Sequence, residues 1–156
     1  MMIVDIRKFD LDIFIRDLVA ASKINKTWYG KITYAYWDYL NKTTTNIDCN
    51  FNSHLFSDLM VYLIDKKCLK VGLRDYAEQI SKNRNHVVFL LALDDKENIS
   101  TLINQKDFTD NFEVFCKDLN GFFYNYTRND INETVQNFKN TLSELDQKFG
   151  LILNIG

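Results

Sequence analysis

Residues 108–150 read FTDNFEVFCKDLNGFFYNYTRNDINETVQNFKNTLSELDQKFG. Phe108, Phe112, Phe115, Leu119, Phe122 and Tyr126 recur at intervals of 4, 3, 4, 3 and 4, which is the apolar stripe of an amphipathic helix. Asp130 with Glu133 three residues on resembles a capping box. Ile131, Val135, Phe138, Leu142, Leu145 and Phe149 then continue at intervals of three and four, and Gly150 suits a helix stop. The connection at Thr127–Asn129 is short, so the two helices are expected to lie antiparallel, stripe to stripe. This stretch sets the expected class: a mainly α, compact helical domain that ends in an antiparallel helix pair.

Upstream, Asp10 is a candidate N-cap for a helix carrying Leu11, Phe14, Ile15, Leu18 and Val19 and ending near Lys23. Residues 27–40 read as helix through Trp28, Ile32, Ala35, Trp37 and Tyr39, or as strand through Ile32, Tyr34 and Tyr36; helix is preferred. Residues 41–50 form a polar loop. Ser53 caps a helix through Leu55, Phe56, Leu59, Met60 and Leu63. Cys68, Leu69 and Val71 make a short strand-like piece ending at Gly72, and Arg74–Ser81 a short helix. His86–Leu93 is a strand, Asp94–Asn98 a solvated turn, and Ser100–Asn104 one helical turn. The strand-like pieces 68–72 and 86–92 allow a small two- or three-stranded sheet.

Composition narrows the function. The chain has 156 residues, one domain by size. Net charge is −2, a poor match for phosphate backbones. No apolar run approaches the length that spans a bilayer, and the first residues do not read as a secretory leader. Three cysteines without paired spacing suit reduced thiols in a cytoplasmic protein.

Chemistry is sparse. Cys49 and His54, five apart, show neither a base in reach nor a field that favours thiolate. His54 and Asp58 share a helical face, but zinc needs three or four ligands. Asp94, Asp95 and Glu97 could bind a cation, although the calcium-loop pattern is absent; a solvated turn is the simpler reading. Neither a metal, a cofactor nor a catalytic centre is expected. Aromatic residues are abundant, with 12 Phe, 8 Tyr and 2 Trp, and such rings anchor interfaces as well as cores. The run Trp28, Tyr29, Tyr34, Tyr36, Trp37, Tyr39 suits either. Ser53–Arg74, with Lys66, Lys67, Lys70 and Arg74 at its border, also fits a winged-helix reader of DNA, although residues 53–65 carry no Arg or Lys.

The segment Leu55–Leu73, LFSDLMVYLIDKKCLKVGL, is similar to a helix, lysine-rich turn and short strand in some small bacterial immunity proteins of contact-dependent inhibition and related polymorphic toxin systems. It covers about an eighth of the chain. The resemblance implies a protein that binds a cognate toxin and performs no chemistry. Its family supplies no shared toxin-binding residues. An acidic inhibitor of a basic toxin gains association rate from steering. The expected contacts are Tyr36, Trp37, Asp38, Asp94, Asp95 and Glu97. The rival readings are a nucleic-acid-binding regulator using residues 53–74 and an enzyme of unrecognised type.

Overall fold

The computed structural model describes residues 2–12, 15–23, 25–26, 32–33, 35–48 and 52–156. Its elements run β1 (Val4–Asp10), α1 (Ile15–Ser22), β2 (Asn25–Lys26), β3 (Ile32–Thr33), α2 (Ala35–Thr43), β4 (Thr45–Asn46), α3 (Ser53–Asp65), α4 (Val71–Arg84), β5 (Val87–Leu91), α5 (Leu93–Ile103), α6 (Phe108–Asn120), a 3₁₀ turn (Gly121–Phe123), α7 (Arg128–Leu142) and β6 (Phe149–Ile155). The fold is mainly helical with a small sheet, as expected. The sheet is larger than expected: four antiparallel strands in the order β4-β1-β6-β5. The chain's described end is a strand rather than a helix pair, although α6 and α7 do touch.

The alternation of strand side chains divides the core in two. Ile6, Phe89, Leu91, Leu151, Leu153 and Ile155 face α3, α5, α6 and α7. Phe9, Val88, Leu90 and Ile152 face α1, α2 and α4. Helices therefore cover both faces. That is why β6 is buried throughout from Gly150 to Ile155 and reads as a near-continuous apolar run. The one polar side chain in that buried run is Asn154.

Several elements depart from their sequence-based boundaries, and each has a local cause. Asp10 closes β1 rather than capping α1; pairing with β6 from Val4↔Ile155 to Asp10↔Phe149 holds the first strand extended. Residues 68–72 are no strand: α4 begins at Val71 and runs to Arg84, where Asn85 stops it in a left-handed conformation. Its first turn is fixed by the Asp95 carboxylate, which accepts the Lys70 N–H. The same carboxylate accepts Ala92 N–H at 2.8 Å. It thereby starts α5 where a solvated turn was expected.

The last third breaks its own periodicity twice. Gly121, at φ 53°, ends α6 after Asn120, so the 4-3-4 stripe stops before Phe122. The capping box lies one turn earlier than expected: Thr127 Oγ1 accepts Asp130 N–H at 3.1 Å, and Asp130 Oδ2 accepts Thr127 N–H at 2.7 Å. Helix α7 ends at Leu142. Asp146 Oδ1 then accepts the N–H groups of Lys148 and Phe149 at 2.8 and 2.7 Å, a turn that launches β6. Gly150 is no helix stop; it lies in β6, where an added Cβ would meet Phe9 Cζ at 2.7 Å and the Leu91 carbonyl oxygen at 2.8 Å.

Candidate functional site

The expected contacts separate into two places. Tyr36, Trp37 and Asp38 lie on α2, and Trp37 stacks on His86, which precedes β5, with ring centroids 6.0 Å apart. Asp94, Asp95 and Glu97 follow the other end of β5, a strand about 17 Å long at ~3.3 Å per residue. Within each group, burial differs. Tyr36 and Asp95 are fully buried, and their polar atoms are taken by internal partners. Trp37 is half-buried, while Asp38, Asp94 and Glu97 are exposed. Asp94 pairs with Lys70 at 3.1 Å. Of the aromatic run, Trp28, Tyr29 and Tyr34 lie outside the described residues, as does Cys49.

Around Tyr36 and Trp37 the structure assembles a polar cluster that sequence spacing did not show. Asn154 Oδ1 accepts the Tyr36 hydroxyl at 2.6 Å and lies 3.3 Å from His86 Nε2. Asn154 Nδ2 donates to Asp5 Oδ2 at 3.0 Å. Arg7 Nε donates to both Asp5 oxygens at 3.1 and 2.9 Å, and Arg7 Nη1 reaches Asn41. The Arg84 guanidinium sits 5.0 Å over the Tyr36 ring, and its buried Nε has no hydrogen-bond partner among the described residues. Burial holds the Tyr36 hydroxyl well above the usual tyrosine range, against the opposing pull of Arg84. Beside this cluster opens a cleft of about 540 Å³ lined by Ile3, Asp5, Trp37, Asn85, His86, Asn154 and Gly156. The pairing Asp5↔Asn154 across β1 and β6 and the position of His86 just before β5 bring these groups together.

A second surface was missed. Phe122 is 99% and Phe123 84% exposed, with their rings edge to face, 6.0 Å apart at 85°. Leu119 beside them is 50% exposed. The positive φ of Gly121 turns the pair out of the stripe that sequence periodicity assigned to Phe122. The corner is anchored from beneath. Asp58 Oδ2 accepts Asn120 Nδ2 at 2.8 Å and the Tyr126 hydroxyl at 3.2 Å. Arg128 binds Asp110 and Glu113, and Lys117 binds Glu113. Hydrogen bonds from Lys117 and Arg128 hold the Glu113 carboxyl below its usual range.

Other sequence candidates have plain places. His54 is exposed, and its neighbour Asp58 is engaged as above. Cys116 is buried, and burial first, then the Asp58 charge, pushes its thiol up to about 12. Burial also raises Cys68. Among the described residues, no group of three or more His, Cys, Asp or Glu side chains is placed to hold a metal, and no helix is long and apolar enough to cross a membrane. In the lysine-rich turn, Lys66 pairs with Asp65, Lys70 with Asp94 and Arg74 with Glu78. Comparison with protein-family models, curated proteins and solved structures found no match to this chain.

Proposed function

We propose that this protein acts by stoichiometric docking onto another protein, as an immunity protein that neutralises a cognate bacterial toxin domain. The observation that carries the docking reading is the Phe122–Phe123 pair. Fully exposed phenyl rings each forgo about 1.5–3 kcal/mol of burial, and aromatic side chains on a braced corner are the usual anchors of an interface. The resemblance at Leu55–Leu73 supports the toxin-binding role. The acidic side chains of Asp38 and Glu97, unpaired among the described residues, suit a basic partner, whose approach they would accelerate.

The test is capture of the toxin domain encoded beside this chain's own gene. Purified complex at a one-to-one ratio, lost in the F122S/F123S variant, supports the reading. A neighbouring product that does not associate, or association indifferent to that double substitution, removes it. The nucleic-acid alternative loses its winged strand because residues 68–70 form no strand and α4 begins at Val71.

A further inference from the structure

We propose that the cleft beside Asn154 binds a planar nitrogen heterocycle with a hydrogen-bond donor next to an acceptor on one edge, of the nucleobase type. The inference stands independently of the docking surface at Phe122–Phe123.

The cleft's volume, about 540 Å³, lies in the range of small-molecule sites, which combine mostly apolar walls with a few convergent polar groups. One wall is aromatic. The Trp37 and His86 rings lie within 13° of parallel, so a flat ligand can extend their stack. The polar floor has a specific residual capacity. A carboxylate oxygen accepts two hydrogen bonds. Asp5 Oδ2 already has two, from Arg7 Nε and Asn154 Nδ2, whereas among the described residues Oδ1 has only the longer Arg7 contact. Asn154 Nδ2 has used one of its two hydrogens, on Asp5. The floor therefore offers one acceptor beside one donor. Their complement is a donor N–H next to an acceptor on one planar edge: the amino N–H and ring nitrogen of adenine and cytosine, or the ring N–H and carbonyl of uracil.

Charge points the same way. Asp5 is balanced by Arg7, and Arg84 is turned onto the Tyr36 ring. Among the described residues no Lys or Arg lines the cleft, and the Arg7 guanidinium lies 5.8 Å from the Trp37 ring centroid. An anion would meet the Asp5 carboxylate, and a neutral heterocycle meets a neutralised site. The network is also rigid: Asn154, 3% exposed, is fixed by Tyr36, His86 and Asp5, so the floor is organised before a ligand arrives.

The experiment is titration of the purified protein with adenosine, cytidine, uridine, the dimethylamino analogue of adenosine and inorganic phosphate, followed by calorimetry and by amide chemical shifts. The dimethylamino analogue keeps the flat ring and its nitrogen acceptor but has no N–H to donate on that edge. The expected result is saturable binding of adenosine, cytidine or uridine, with the dimethylamino analogue at least about tenfold weaker and phosphate without effect. Asp5→Asn and Trp37→Leu are each expected to weaken the bound nucleoside at least about tenfold while the circular dichroism spectrum is retained. Trp37→Leu serves as the second variant if Asp5→Asn does not fold. Three results would overturn the proposal: no saturation by adenosine, cytidine or uridine up to about 10 mM, equal binding of the dimethylamino analogue, or shifts that map away from Asp5, Trp37 and His86. Toxin capture is read separately and is expected to survive Asp5→Asn, which lies outside the expected toxin contacts.

Discussion

The hydroxyl of Tyr36 on α2 donates a 2.6 Å hydrogen bond to Oδ1 of Asn154 on the central strand β6, joining residues 118 apart in sequence within the core. It ties the α1/α2/α4 layer to the sheet at the one polar side chain of the buried run Gly150–Ile155. A buried polar group is stabilising only while its partners are present.

Tyr36→Phe removes the donor and leaves Asn154 Oδ1 facing His86 alone. A loss of about 1–2 kcal/mol in unfolding free energy is expected. Asn154→Leu strands the Tyr36 hydroxyl and one Asp5 contact together, and a larger loss, about 2–4 kcal/mol, is expected. Urea titration of the three proteins checks the order; equal midpoints would show that the network contributes nothing.

Gly150→Ala places a methyl group against the Phe9 ring and the Leu91 carbonyl. The ring can shift, but the backbone oxygen of a paired strand cannot do so cheaply. The expected cost is about 1–3 kcal/mol. Phe9→Leu in the same chain, which shortens the obstructing side chain, should recover only part of it, because Leu91 stays. Thermal unfolding of both variants decides this.

Asp95 fastens the starts of two helices through Lys70 and Ala92 N–H groups. Burial, the largest influence, raises its carboxyl above the usual range despite those bonds. The folded state thus holds this proton more tightly than the unfolded chain. Stability from its protonation is complete below the ordinary carboxylate value of about 4 and declines as pH rises through the elevated value. Asp95→Asn sets an amide N–H₂ against a backbone donor and should cost about 1–3 kcal/mol. The difference between wild type and variant should be largest in acid and smaller at neutral pH; a difference that grows with pH contradicts the raised value.

Cys116 is sealed in the core with a thiol pushed up to about 12. It should react with a thiol reagent at neutral pH only as fast as the native state opens. Mass spectrometry of peptides after timed alkylation checks this. Labelling of Cys116 at the rate of a free thiol would contradict its placement.

Replacing Phe122 and Phe123 with serine removes no buried contact. The unfolding free energy should stay within about 0.5 kcal/mol of wild type. A marked loss of stability would mean that the two rings fasten the α6–α7 corner instead of projecting from it.

The long apolar segments were legible because their neighbours agree with them. Leu55–Leu63 and Val88–Leu91 carry a pattern that burial on the sheet's two faces simply uses. The misreadings cluster where one residue overrides periodicity. Gly121 diverts Phe122, and Asp146 ends a run that Leu145 and Phe149 continue in register. Strand β1 hid its character because Ile6 and Phe9 are buried on opposite faces, three apart, a spacing that also belongs to helices. The cluster at Asn154 has no sequence signature at all. Asp5, Tyr36, His86 and Asn154 are scattered from one end of the chain to the other and meet only through strand pairing and the docking of α2.

Strand β6 lies between β1 and β5, yet a ribosome finishes β1 and β5 well before it. Asp5 waits for a partner 149 residues downstream. The growing chain therefore holds β1 and β5 without the strand that pairs with both until β6 emerges. Closure is a late, long-range event of the kind that slows folding and exposes sticky edges. A chain released before residue 149 would keep most of its helices and lack the strand that pairs with both β1 and β5.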